Sequence, residues 1–244
     1  MKHLKFLAAL TIAASLFMSS CGSGDDKKAD EPSGDSTTTK TETPPPPPTP
    51  TKPKDVMVII HKVANYSKWK PGYDSHDSAR LAAGLHSFVI ARGLEKDSNN
   101  VLVAMKMDDV AKAKAMASSK ELMDKMKSAG VLGKPSIMYI NVVSEENVDN
   151  TTPTRVRVMH KVKDWDAWKK VFDSHKQTRL DAGLLDRSVG YSMDDNHMVS
   201  AVFIVTDMAK AKAFIASKDI KDKMAEAGVE GPPTFFWYNV VQKY

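Results

Sequence analysis

Apolar and polar positions over residues 55–143 alternate in blocks that predict a strand, a helix, two strands, a second helix and a final strand. Residues 56–63 are apolar and rich in β-branched side chains, as in a buried strand. A helix is expected next, with Asn65 as its N-cap and Gly84 as its stop. Pro71 falls inside this helix and is expected to kink or restart it.

The second part of the block predicts a hairpin and a broken helix. Residues 87–94 and 101–107 are apolar runs separated by a polar turn. Asp109 caps a second helix, which a pair of serines at 118–119 interrupts, and residues 137–143 form the last strand. This order of elements is the ferredoxin-like split βαβ motif.

The whole block occurs twice, since residues 55–143 align with residues 154–241. Shared runs include His-Lys-Val at 61–63 and 160–162, Asp-Ser-His at 74–76 and 173–175, and Ala-Gly-Leu at 83–85 and 182–184. Self-similarity over this length indicates a duplicated structural unit. We therefore predict an α+β fold with two tandem ferredoxin-like βαββαβ repeats, at 55–145 and 154–244, joined by a linker at 146–153.

Each predicted repeat leaves one sheet face without a cover. Both helices of such a repeat lie on one face of its sheet, so the other face is bare and apolar. Residues 235–238, in the last strand of the second repeat, are apolar on both faces, which favours a sheet buried on each side. We therefore expect the two sheets to pack on each other within one chain, giving a monomer with an internal pseudo-dimer.

Three sequence features of each repeat resemble a known superfamily. The first strand ends in basic residues, the first helix carries W-x-x-x-(F/Y)-D-x-H, and A-G-V-x-G-(P)-P precedes the last strand. In these features the chain resembles the dimeric α/β-barrel superfamily, and most closely its small proteins of the antibiotic-biosynthesis-monooxygenase type. The resemblance implies two sheets packed face to face. It is weak for activity, because the superfamily holds oxygenases, isomerases, haem-degrading enzymes and members without known chemistry.

Chemically capable side chains recur at matching positions of the two repeats. On the first helix an aromatic stripe ends in histidine and arginine at helical spacing, so these side chains share one helix face. We expect them to converge with a histidine of the first strand and an asparagine of the last strand, between helix and sheet. The resemblance implies the same place for a ligand cavity. The candidate ligand-binding residues are His61, Trp69, His76, Arg80 and Asn141, and their counterparts His160, Trp168, His175, Arg179 and Asn239.

The candidate residues also have structural interpretations. Trp69 and Tyr73 are typical core residues, and His76 is equally suited to bond a backbone carbonyl. Arg80 has Asp77 within reach as an ion-pair partner on the same helix. These alternatives stay open at the level of sequence.

No metal, cofactor or nucleic acid is expected as a partner. His61, His76 and Asp74 match no zinc-ligand spacing, and neither repeat contains a cysteine. Haem enzymes of the superfamily place their histidine on the second helix, and neither second helix here has one. The net charge is +5, but no basic cluster alternates with aromatic residues as in a nucleic-acid-binding surface.

The N-terminal region has the features of an export signal and a tether. Two lysines precede an apolar run at 7–18, and residues 1–20 are expected to be a signal peptide. Met-Ser-Ser before Cys21 resembles the lipobox of bacterial lipoproteins, which implies that lipid on Cys21 anchors the protein to a membrane. Residues 21–54 are polar and proline-rich, as in a disordered spacer. An acidic pair at 25–26 resembles the surface-export signal of lipoproteins in Bacteroidetes-like bacteria. We therefore expect the outer membrane, and this resemblance implies display at the cell surface.

Three functions are compatible with the sequence. The first is a non-enzymatic, membrane-anchored lipoprotein that binds a small anionic or aromatic ligand in one cleft per repeat. The second is a cofactor-independent enzyme of the monooxygenase or isomerase type, in which His76 and His175 act as general bases. The third is a structural or protein-interaction module of the cell envelope.

Overall fold

The computed structural model describes residues 55–148 and 151–244. The predicted signal peptide, Cys21 and most of the tether therefore lie outside the described residues. Within the described residues, no helix is both long enough and apolar enough to cross a lipid bilayer.

The described residues form eight strands, and each repeat has the predicted order of strands and helices. Every neighbouring pair of strands is antiparallel. The strands are β1 (Val56–Val63), β2 (Leu85–Gly93), β3 (Asn100–Met107), β4 (Val131–Glu145), β5 (Thr154–Val162), β6 (Leu184–Ser192), β7 (Met198–Val205) and β8 (Val229–Lys243).

The strands close into a single barrel in the order β1-β3-β2-β8-β5-β7-β6-β4. The two long strands make this closure possible. β4 pairs with β1 through its first part and with β6 of the other repeat through its last part. β8 pairs with β5 and then with β2 in the same way. The fold is therefore two tandem ferredoxin-like repeats joined as an intramolecular dimeric α/β barrel, and each of the eight described strands has a partner on both sides.

Each repeat contributes four helices to the outside of the barrel. Helices begin at polar caps as expected: Asn65, for example, accepts a hydrogen bond from the Lys68 amide at 3.0 Å. The helices are α1 (Tyr66–Asp74), α2 (Asp77–Ala82), α3 (Val110–Ala117), α4 (Lys120–Ser128), α5 (Trp165–Ser174), α6 (Lys176–Asp181), α7 (Met208–Ala216) and α8 (Lys218–Glu226).

The first helical stretch does not restart at Pro71, contrary to the sequence prediction. Pro71 lies inside α1, and the break comes next to His76. The second repeat breaks at the matching His175 although it has no proline. Both histidines have nearly the same backbone angles, with φ near −100°. A feature common to the two repeats therefore determines where the helix breaks. This feature is the arginine four residues after each histidine, whose contacts are described below.

Side chains alternate along each strand between the helix layer and the barrel interior. On β1, Met57 and Ile59 pack under the helices, while Val56 and Val58 face the interior of the barrel. The protein thus has three apolar layers: one between sheet and helices in each repeat, and one inside the barrel.

Candidate functional site

A cleft lies between the helices and the sheet in each repeat, at matching positions. We call them cleft 1 and cleft 2. Their cavity volumes are about 60 Å³ and about 80 Å³, and both clefts are open to solvent. Cleft 1 is lined by four of the five predicted residues of its repeat: His61, Trp69, His76 and Arg80. Cleft 2 is lined by His160, Trp168, His175 and Arg179.

The floor of each cleft carries a buried histidine from the first strand. His61 is 5% exposed and His160 is 7% exposed. Neither ring nitrogen of either histidine has a hydrogen-bond partner within the described parts of the chain. Burial lowers the pKa of both imidazoles to about 4, so both rings are neutral at neutral pH. Each neutral ring can donate one hydrogen bond and accept another, and the described residues supply a partner for neither.

Stacked aromatic side chains of the first helix form one wall. Trp69 and Tyr73 lie four residues apart on α1, and their ring centroids are 5.2 Å apart. The corresponding rings of Trp168 and Phe172 are 4.9 Å apart. Each tryptophan also packs against the floor histidine, at 5.4 Å in both repeats. The result is a flat aromatic surface beside an imidazole edge.

The histidines at the helix breaks lie at the rim of the clefts. The Nε2 atom of His76 is 3.4 Å from Oε1 of Glu121 on α4, whose side chain is mostly exposed. The expected alternative, a bond from His76 to a backbone carbonyl, does not form. In the second repeat, Nδ1 of His175 is buried and has no partner among the residues the structure describes.

The two arginines cap the broken helices and stack on aromatic rings. Arg80 donates to the backbone carbonyl of Tyr73 at 2.6 Å, and Arg179 donates to that of Phe172 at 2.5 Å. Their guanidinium groups lie 3.8 Å and 3.6 Å from the centroids of the same rings. Each arginine therefore adds a second hydrogen bond to a carbonyl that also accepts from the amide of the histidine at the break, and so stabilises the shared break.

The electrostatic partners of the two arginines differ. Arg179 binds Asp186 through two parallel hydrogen bonds of 2.8 and 2.6 Å, and both side chains are almost fully buried. The matching position in the first repeat is Ser87. Arg80 instead pairs with Asp77 at 2.9 Å, the partner expected from the sequence, and its Nε atom is buried without a partner in the described chain.

The predicted asparagines do not join the clefts. Asn141 pairs with Tyr191 of β6, where Gly190 approaches so closely that an added Cβ would lie 2.0 Å from the Asn141 carbonyl. Asn239 pairs with Arg92 of β2 in the other repeat, and its side chain accepts a hydrogen bond from the Thr154 hydroxyl at 2.8 Å. Both asparagines therefore lie at the two seams where the repeats meet, because the last strands are longer than expected and pass into the other sheet.

A cationic group that the sequence analysis did not select lies inside the barrel. Arg155 and Arg157 on β5 point inward and are 5% and 3% exposed. The sequence does contain a signal for these arginines, the alternation Arg-Val-Arg-Val at 155–158. The first repeat has Val56 and Val58 at the two arginine positions, so the repeats differ there. The residues that the structure describes contain no cluster of three or more potential metal ligands.

The fold has known structural relatives, although no family model and no curated protein matches the sequence. A candidate monooxygenase from Fusobacterium nucleatum subsp. nucleatum superposes with a TM-score of 0.53 and 13% identity, covering 80% of this chain and 94% of that chain. An anthrone oxidase-like protein superposes with a TM-score of 0.55 and 13% identity, covering 78% of this chain and 92% of that one. At this identity the likeness establishes the shared fold and leaves the chemistry to be argued from the clefts.

Proposed function

We propose that clefts 1 and 2 each bind a small, flat, uncharged aromatic molecule that carries a hydroxyl or carbonyl group. The observation behind this proposal is the pair His61 and His160, each buried beside a stacked aromatic wall with both ring nitrogens unpartnered in the described chain. Buried polar atoms without partners cost free energy. A ligand hydroxyl or carbonyl would supply the missing hydrogen bond, while its ring packs on Trp69 or Trp168.

The electrostatics of the clefts favour an uncharged ligand over the anionic alternative. The positive charge of Arg179 is compensated by the buried carboxylate of Asp186, and the floor histidines are neutral. Most other lining residues are apolar, such as Val103 and Met105 in cleft 1. An anion would lose its hydration in these largely apolar surroundings. The other cations of the linings already pair with carboxylates, Arg80 with Asp77 and Lys223 with Glu226, apart from the exposed Lys125 of cleft 1.

A second candidate function is oxygen-dependent oxidation of such a ligand, as the names of the structural relatives suggest. Binding ranks first because its support lies in the clefts themselves, in the unpartnered nitrogens of the floor histidines beside the aromatic wall. Oxidation is suggested by the names of proteins that share only the fold, and the floor histidines, with a pKa near 4, are weak bases at neutral pH. The two functions separate in one assay with anthrone in aerated buffer. An oxidase converts it to anthraquinone and consumes oxygen, whereas a binding protein retains it unchanged.

The proposed setting is the outer membrane, with lipid attached to Cys21. Its support is the lipobox-like sequence and the proline-rich spacer described above. The wild-type protein should carry acyl chains and sediment with membranes, whereas Cys21→Ser should lose both properties. Wild-type protein in the soluble fraction without lipid would contradict the anchor.

Ligand-induced thermal stabilisation tests the binding proposal. 1-Naphthol should raise the melting temperature of the protein, and naphthalene, which lacks the hydroxyl, should raise it less. The double substitution His61→Phe/His160→Phe keeps an aromatic ring against each tryptophan but removes the ring nitrogens. It should abolish the advantage of naphthol over naphthalene. Equal effects of the two compounds on the wild-type protein would contradict the proposed role of the histidines.

A further inference from the structure

The interior of the barrel contains a third cavity, distinct from the two clefts. Its volume is about 260 Å³, and all eight strands contribute lining residues. A filled core is the usual content of a barrel of this size. Here the lining side chains leave a space that reaches the surface at one end, where Lys106, Arg187 and Lys243 lie.

The two repeats line this cavity with different chemistry. Two neighbouring inward positions on the first strand are Val56 and Val58 in repeat 1 but Arg155 and Arg157 in repeat 2. The wall from repeat 1 is therefore largely apolar, and two buried guanidinium groups lie on the wall from repeat 2. A cavity with one apolar wall and one cationic wall is matched to an amphiphilic anion.

Arg157 is the most unusual of these residues. It is 3% exposed, donates from Nε to the Ser200 hydroxyl at 3.1 Å and places Nη2 at 3.6 Å from the sulfur of Met138. Its Nη1 atom has no partner in the described chain. Burial lowers the pKa of Arg157 to about 10, so it still carries its charge at neutral pH.

No carboxylate among the described residues pairs with Arg157, in contrast to Arg179, another buried arginine of this repeat. Arg179 has the two oxygens of Asp186. The described residues around the barrel cavity include five cationic side chains and one carboxylate, Glu145, which already pairs with Lys106 and Arg187. A buried and uncompensated guanidinium is costly for folding, and a bound anion would remove that cost.

Neighbouring polar groups complete an anion site. Arg155 lies two residues from Arg157 on β5. The strand register places Tyr238 of β8 beside Arg155. Burial raises the pKa of Tyr238 to about 12, so its hydroxyl is protonated and able to donate. Its ring stacks on Phe236 at 5.6 Å, which continues the apolar surface. Guanidinium, phenol and serine hydroxyl thus lie next to apolar walls.

We propose that the barrel interior binds one amphiphilic organic anion, a carboxylate attached to an apolar body, with its charged group at Arg157. The carboxylate accepts hydrogen bonds from Arg157 and Tyr238, and the apolar body packs against the wall from repeat 1 that includes Val58 and Ile140. The cationic side chains at the mouth attract the anion. This site is independent of the clefts and does not rest on their proposed function.

The test uses the full chain and two matched probes, 1-naphthoate and its uncharged analogue 1-naphthol. Calorimetric titration should show one naphthoate per chain, and Arg157→Met should weaken its binding roughly ten- to a hundredfold through loss of the charged hydrogen bonds. The affinity for 1-naphthol should not change. Arg157→Met should also melt at or above the wild-type temperature, because it replaces an uncompensated charge by an apolar side chain.

Control variants separate this role from a structural one. Arg92→Met is the matched control, since Arg92 donates to the Ser98 carbonyl and packs on Tyr66 outside the barrel interior. It should bind naphthoate as the wild type does. If Arg157→Met does not fold, Tyr238→Phe removes only a hydroxyl and should still weaken naphthoate several-fold. The proposal is overturned if the wild type does not bind naphthoate, or if Arg157→Met, or Tyr238→Phe in its place, binds it with wild-type affinity.

Discussion

At the scale of single residues, Arg80 and Arg179 show how equivalent side chains diverge after duplication. Both cap the end of the first helix and stack on an aromatic ring. They differ in the carboxylate that each one holds. The Asp186 side chain is 8% exposed, whereas that of Asp77 is 51% exposed.

This difference predicts unequal costs of substitution. Arg179→Met leaves the buried carboxylate of Asp186 without its partner and should lower the free energy of unfolding by about 3–5 kcal/mol. Arg80→Met leaves Asp77 in water and should cost at least about 2 kcal/mol less. Urea unfolding of the two variants measures the difference. Adding Asp186→Ser to Arg179→Met imitates the first repeat at Ser87 and should recover part of the loss, while equal costs for the two single variants would contradict this account.

The floor histidines predict a specific pH dependence of stability. The unfolded chain takes up protons at an ordinary histidine pKa of 6.5, whereas His61 and His160 in the folded protein do so only near 4. Between these values the unfolded state binds more protons, so the free energy of unfolding falls as pH falls. The loss is on the order of 3 kcal/mol for each histidine.

The double variant His61→Phe/His160→Phe isolates this contribution from that of the carboxylates. Urea unfolding at pH 7, 5.5 and 4.5 should give a shallower decline for the variant than for the wild type. At pH 7 the variant should be as stable as the wild type or more stable, because unpartnered ring nitrogens have been removed. Parallel declines of stability would show that these histidines titrate normally.

At the scale of elements, the sequence predicted the type and order of every strand and the grouping of four residues in each cleft. Hydrophobic periodicity and the capping residues contain that information locally. The helix break at His76 was not predictable, because it depends on an arginine that reaches back across the break. The position of Asn141 was also missed, since it depends on a strand that leaves its own sheet and pairs with the other repeat.

The inward arginines illustrate a different limit. An Arg-Val-Arg-Val alternation usually indicates a strand with one solvent-facing side. Closure of the barrel buries that side in this protein, so Arg155 and Arg157 become interior residues. Sequence alternation alone separates the two faces of a strand but does not say which of them meets water.

At the scale of the whole molecule, the asymmetry of the barrel interior predicts different behaviour of the isolated repeats. Residues 55–148 have a largely apolar inner face and two strands without partners, so they should form a homodimer. A homodimer of residues 151–244 would place four arginines at positions 155 and 157 in one interior, and it should be much weaker. Mixing the two halves should give a heterodimer. Sedimentation measures these states, and a well-folded monomer of residues 55–148 would contradict the packing of the two sheets.

The central claim is that each repeat has its own aromatic-binding cleft with a neutral histidine at its floor. Calorimetric titration with 1-naphthol tests it most directly through the number of bound molecules. The account predicts two naphthol molecules bound with wild-type affinity per wild-type chain, one for His61→Phe and one for His160→Phe. The double variant should bind naphthol only as weakly as it binds naphthalene. Two naphthol molecules bound with wild-type affinity by the double variant would contradict it.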